Sequence, residues 1–222
     1  PVRSLAEYSH LRVHLFPDGG LARLRIYGVP RHDPRDCRAD GLQDLASALQ
    51  GGRVLASNNQ HFGPASQLLL PGGGQNMGDG WETRRRREPG HDWCIIALAR
   101  PAMLREVEVD TAFFKGNFPD RCSLHGSFVA DESEASIVRQ AMFWPSPMPP
   151  QALAAVSLHR FRDELLPPTA ISHVRFDIHP DGGVSRLRLW GALQACARCR
   201  SRRRTPSRSR PSCRSSRPTP AS

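Results

Sequence analysis

HVRFDIHPDGGVSRLRLWG at residues 173–191 has a near twin in HLRVHLFPDGGLARLRIYG at residues 10–28, with the same turn, the same Arg-Leu-Arg and the same closing glycine. In the first copy Leu11, Val13 and Leu15 before the turn and Leu21, Leu24 and Ile26 after it are separated by polar residues; such alternation marks a half-buried strand. Between the arms, Pro-Asp-Gly-Gly supplies a fixed φ, a side chain able to cap its own backbone and two residues free to take positive φ. Each copy is expected to be a β-hairpin. The copies start at His10 and His173, a separation of domain size rather than that of a solenoid repeat. The first therefore reads as the C-terminal end of a preceding repeat (residues 1–31), and the second closes a complete repeat (residues 41–193). Residues 32–40, rich in Asp, Arg and Pro, are the natural linker.

Between linker and closing copy the pattern is mostly β. Residues 93–98 form a short apolar run suited to a buried strand, residues 104–110 (LREVEVD) alternate cleanly, and residues 122–129 are a third candidate. Gly and Pro punctuate these runs at 71–74, 88–90 and 116–119. Residues 42–49 suit a short amphipathic helix opening the unit, and residues 130–142 a second helix that the prolines of 145–150 would end. Many short strands with few helices predict an all-β fold, a jelly-roll β-sandwich.

Composition limits the function classes. The formal charge is +10, but nine of the 31 Lys and Arg residues are arginines of 195–222, a stretch without acid or lysine, so the remainder carries about +1. A basic body would point to nucleic acid; here only an appended strip has that character, so nucleic-acid binding is expected at most through the tail. Residues 194–222 hold almost only Arg, Ser, Pro, Cys, Thr and Ala, a composition that cannot build a core. They are expected to be disordered, and read as a solvated extension or an out-of-frame end. Cys196 and Cys199 lack a second pair at zinc-ribbon spacing, and Cys37, Cys94 and Cys122 are far apart. No secretory signal or membrane-length apolar run is present, so a cytoplasmic setting without membrane partners is the expectation.

The stretch NMGDGWETRRRREPGHDWCIIALA, residues 76–99, gathers a carboxylate, an arginine cluster and a His-Asp pair around two tryptophans beside a strand-like run. Buried charge is costly unless paired or used, so this reads as a site. Together with VDTAFFKGNFP at 109–119 and the duplicated PDGG-x-x-R-x-R unit, the stretch DGWETRRRREPGHDW at 79–93 resembles the allantoicase (allantoate amidinohydrolase) family. The resemblance covers nearly all of 41–191 as that family's second repeat and 5–29 as the end of its first. It implies two jelly-roll repeats per subunit, assembly into a homo-oligomer, and hydrolysis of allantoate to ureidoglycolate and urea in purine breakdown.

Those residue types suit that chemistry. Arginine pairs bidentately with a carboxylate and stays cationic at any working pH, which makes Arg84, Arg85 and Arg86 substrate-binding candidates. If residues 83–87 are extended, about half of them face the ligand. Expelling urea needs a proton delivered to nitrogen, and adding water needs a base. His91 is the expected acid/base, beside Asp92, with Glu82 or Asp110 activating water or stabilising a developing iminium. Asn117, Asn59, His61 and Trp81 complete the expected pocket, although Asp110 also suits a turn cap, Gly116-Asn117 is ordinary turn chemistry and Trp81 suits a core. No cofactor is expected; metal-free and metal-assisted hydrolysis both fit, the latter if His61, His91, Asp92 and Asp110 converge. The competing reading is a non-catalytic jelly-roll binding module or an inactive fragment of an allantoicase, since the fold alone does not decide activity.

Overall fold

Strand β4 (Asp92–Asp110) organises the molecule, because its 19 residues run through both of the stretches that the sequence marks as separate strands. The computed structural model describes residues 6–8, 10–28, 37–130, 132–167 and 169–193. In chain order the remaining elements are β1 (Gln43–Asp44), β2 (Arg53–Ser57), β3 (Trp81–Glu82), β5 (Arg121–Ser127), α1 (Glu134–Gln140), β6 (Met148–Ala152), β7 (Leu158–Phe161), β8 (Ala170–His179), β9 (Gly183–Val184) and β10 (Arg186–Leu193). The large sheet runs β1-β10-β4-β8-β5-β6, with β2 and β7 also on β4, while β3 and β9 form a small separate pair. Every pairing is antiparallel.

The first part of β4 pairs with β2 and β8, the last part with β7 and β10. The β8 register breaks between Ala97 and Ala102, around Pro101, which has no N–H to give to a ladder. The sheet thereby curls on itself: Cys94, Ile96, Val174 and Phe176 share one buried cluster with Val107, Val109, Leu187 and Leu189. This is the all-β jelly-roll sandwich expected from the sequence. On the outer face of the first half, Ile95 is covered by Ile137, Ala141 and Trp144. Helix α1, which supplies Ile137, is capped by Ser133, whose Oγ accepts from Ser136 N at 3.2 Å. The helical region stops at Phe143, just before the prolines of 145–150, and prolines 149 and 150 sit in β6 at the sheet edge, the place where a strand tolerates a missing N–H.

Three expectations need correction. Residues 42–49 are not a helix: Gln43 and Asp44 pair with β10, and a 3-10 turn follows at Ala48–Gln50. Asp44 Oδ1 accepts from Ala46 N and Leu189 N, both at 3.1 Å, a side-chain-to-backbone pattern that competes with helix. The second hairpin is not one either. Both its arms are strands, but β8 and β10 each pair with β4 instead of with one another, and Pro180-Asp181-Gly182-Gly183 carries the chain across the sandwich. Finally, residues 10–28 form no strand, and Leu11, Val13, Leu15, Leu21, Leu24 and Ile26 are exposed. In the second copy the arms are held by β4. Most of the linker, the tail 194–222 and Cys196, Cys199 and Cys213 lie outside the described residues.

Candidate active site

The ends of β4, β8 and β10 and the loops between them meet at one end of the sandwich. Asp92 N donates to Pro180 O at 3.1 Å, Thr83 N to Gly182 O at 3.1 Å, and Gly183 N to Asn117 O at 2.7 Å. Two glycines make this closeness possible. Gly182 has φ +138°, and a Cβ there would lie 2.6 Å from Asn117 O; a Cβ on Gly183 would lie 1.9 Å from the Phe114 ring. The loops thereby bring the sequence motifs 79–93, 109–119 and 180–183 together.

Here lies a polar cavity of about 410 Å³, lined by Asn58, Asn59, Phe62, Asp92 and residues 84–88. Residues 83–87 are not a strand, so alternation does not hide half of the arginines: Arg84, Arg85 and Arg87 are exposed at the cavity. Arg86 is committed. Its Nη2 reaches Asp92 Oδ1 at 3.3 Å and His91 O at 3.4 Å, and its backbone N donates to Asp181 Oδ2 at 2.8 Å. Asp92 is fully buried; Asn58 Nδ2 donates to its Oδ1 at 3.0 Å, while Oδ2 has no hydrogen-bond partner. A buried acceptor left unmade costs about 1–3 kcal/mol, so Asp92 suits a ligand with N–H groups.

The other expected residues divide. Glu82 Oε1 accepts from Asn117 Nδ2 at 2.6 Å, so these two candidates meet each other. Asn59 Oδ1 accepts from His61 N at 3.1 Å and from Arg84 N at 3.4 Å, which shapes the loop. Trp81 is fully buried, with Nε1 donating to Asn59 O at 2.8 Å; it forms wall rather than contact surface. His61 stands exposed with its ring 4.5 Å from that of Phe62. Asp110 takes the turn-cap role: its Oδ1 accepts from Ala112 N at 2.8 Å, and it lines a different, smaller cavity with Arg186 and Arg188. His61, His91, Asp92 and Asp110 therefore each have separate partners and do not converge; among the described residues no group of three or more His, Cys, Asp or Glu is arranged to hold a metal ion.

The His91 ring turns to the outer face of the sheet. Its carbonyl stays by the cavity, where Asn58 and Arg86 donate to it, but Nε2 lies 2.9 Å from Oδ1 of the buried Asp177. Arg175 Nε donates to the same oxygen at 2.8 Å, and its Nη2 lies 3.2 Å from His91 Nε2. His125 Nε2 lies 3.6 Å from Asp177 Oδ2, and the His179 ring centre is 4.5 Å from that of His91. Burial, with His91 nearby, holds the His179 imidazole below its ordinary pKa. Sequence reasoning missed Asp177, Arg175, His125 and His179, which share the outer face of β5 and β8. The period of two, with the apolar residues of β8 on the opposite face, is the signal that groups them.

Comparison with known proteins completes the picture. A family model described as "Allantoicase repeat" matches residues 43–194. The chain is 61% identical over 186 residues to probable allantoicase 2 of Burkholderia pseudomallei, covering 84% of this chain and 55% of that protein. The chain belongs to the allantoicase family. It is also 57% identical over 187 residues to the probable allantoicase of Ralstonia nicotianae, covering 84% of this chain and 56% of that one. The crystal structure of allantoicase from Saccharomyces cerevisiae superposes with a TM-score of 0.59 at 34% identity, over 71% of this chain and 45% of the yeast chain. The chain thus spans about half the length of the curated allantoicases it matches.

Proposed function

We propose that the protein carrying this repeat hydrolyses allantoate, with the loop end of residues 41–193 binding the substrate and residues 1–31 belonging to a preceding repeat. Membership of the family supports the reaction, and the single structural observation that carries the site is the arginine-rich cavity beside the buried, half-partnered Asp92. In the reaction water oxygen bonds to the carbon that bears the two ureido groups, that carbon's bond to one ureido nitrogen breaks, and a proton passes to the departing nitrogen. The products are ureidoglycolate and urea, so atoms and charge balance.

In this reading Arg84 and Arg85 hold the substrate carboxylate, Asp92 Oδ2 accepts from a ureido N–H, and Arg86 with Asn58 fixes Asp92. The His91 imidazole, expected to be the acid/base, is held by Asp177 on the outer face of the sheet, away from this cavity, and does not carry the proton transfer in this reading. Glu82 and Asn117 act as one hydrogen-bonded unit. Assembly into a homo-oligomer and a cytoplasmic setting belong to the same proposal.

The test is urea release from allantoate by the protein containing both repeats. Urea and ureidoglycolate should appear in equal amounts, and Arg84→Ala or Arg85→Ala should raise KM by about tenfold or more, as expected when a charged hydrogen bond worth roughly 1.5–3 kcal/mol is lost. Absence of urea would remove the function; unchanged KM in both variants would remove the binding site.

A further inference from the structure

Four consecutive arginines, residues 84–87, cannot hold one another in place, because like charges repel and a segment outside a sheet has no ladder to fix its backbone. The small sheet stops just short of them: β3 ends at Glu82, paired with Gly183 of β9. Side chains take over where the ladder ends. Thr83 Oγ1 donates to Gly182 O at 3.3 Å and accepts from Gly182 N at 3.1 Å, and Thr83 N donates to the same carbonyl at 3.1 Å. Further along, Arg86 N donates to Asp181 Oδ2 at 2.8 Å. Both anchors belong to one turn, Pro180-Asp181-Gly182-Gly183, and Arg84 and Arg85 lie between them, exposed at the cavity. The other anchor inside the span, Arg84 N to Asn59 Oδ1, is longer at 3.4 Å.

We propose that Asp181 is a positioning residue for substrate binding: its carboxylate pins the backbone of Arg86 and so presents Arg84 and Arg85 to the substrate carboxylate in a fixed arrangement. The role deepens the allantoate reading and rests on it. Asp181 acts through the loop rather than on the substrate. A backbone N–H held by an ionised carboxylate is a stronger anchor than a neutral pair, and a loop arranged before the substrate arrives spares binding the cost of ordering it. The same anchor reaches the ureido end of the site, because the pinned residue sends its Nη2 to Asp92 Oδ1 at 3.3 Å. Electrostatics alone predicts the opposite of this role. An acid close to an arginine cluster weakens the pull on an anionic substrate, so deleting it would tighten binding by Coulomb's law. Loss of the pin loosens binding, and the sign of the change separates the two effects.

The experiment uses the protein with both repeats, as wild type, Asp181→Ala and Asp181→Asn. Asp181→Ala should raise KM for allantoate by about tenfold, in keeping with the loss of one hydrogen bond to a charged group, with kcat within about threefold, the pattern of an interaction common to ground and transition states. Asp181→Asn keeps an oxygen that can accept from Arg86 N and should restore part of the affinity. Amide hydrogen exchange provides a readout independent of turnover: the Arg86 amide should be protected in the wild type and exchange at least about tenfold faster in Asp181→Ala, as expected once its acceptor is gone. A folded Asp181→Ala protein whose KM falls or stays within about twofold would overturn the proposal, as would unchanged exchange at Arg86. If the wild type releases no urea, the allantoate reading fails, and exchange at Arg86 alone decides whether Asp181 pins the loop. If Asp181→Ala does not fold, Asp181→Glu takes its place: it keeps the charge but displaces the acceptor by one methylene, so a raised KM supports the pin and an unchanged KM overturns it.

Discussion

Asp44 illustrates what a single carboxylate gains and loses in this fold. Its Oδ1 accepts two backbone N–H groups and its Oδ2 lies 3.5 Å from Arg188 Nε, yet burial outweighs these and pushes its pKa up to about 6. A carboxyl whose folded pKa lies above its unfolded value contributes stability that is complete below the unfolded pKa and lost as pH rises through the folded one. Asp44→Asn should therefore gain on the wild type as pH goes from 4 to 7, by up to about 3 kcal/mol at roughly 1.4 kcal/mol per unit. Paired melting curves across that range check it; a constant gap would show that Asp44 titrates normally. Glu106 behaves in the opposite way. Burial opposes its ionisation, but Arg38 and Arg162, both in hydrogen-bond contact, hold its carboxyl below the usual range. At this scale the sequence was legible for residue type but not for partner. Arg84, Arg85 and Asp92 could be chosen because charge clustered beside a strand is rarely idle. Asp177 could not, because a buried acid in an alternating strand looks in one dimension like any solvent-facing residue.

Single elements were read well where periodicity decides and poorly where pairing does. The runs 93–98 and 104–110 were each recognisable as strand, but the alternation says nothing of which neighbour a strand takes. It could not show that both belong to β4, or that the arms of the PDGG unit join β4 rather than each other. The turn itself was legible as chemistry: glycine is needed at Gly182 for its φ and at Gly183 for the approach of Phe114. Gly183→Ala should cost about 1–3 kcal/mol, the usual range for overpacking, and should also loosen the loops that it holds against Asn117. Denaturant unfolding would show it as a lowered midpoint, and an unchanged midpoint would mean that Phe114 can move aside freely. The helix expected at 42–49 failed for a local reason, since Asp44 bonds to backbone N–H groups in a way that favours turn over helix.

For the whole molecule, the proposal of two repeats rests on sequence: residues 10–28 share their turn, their Arg-Leu-Arg triplet and their apolar alternation with 173–191. The apolar residues of 10–28 are exposed in the structure, and the chain spans about half of its curated relatives. The central claim is that loops distant in sequence meet at one end of the sandwich and hold a small ureido acid between Arg84, Arg85 and Asp92. A crystal structure of the two-repeat protein with allantoate bound tests this most directly. The account predicts the ligand carboxylate within hydrogen-bond reach of Arg84 or Arg85 and a ureido nitrogen on Asp92 Oδ2; allantoate seated elsewhere, with those side chains untouched, would contradict it.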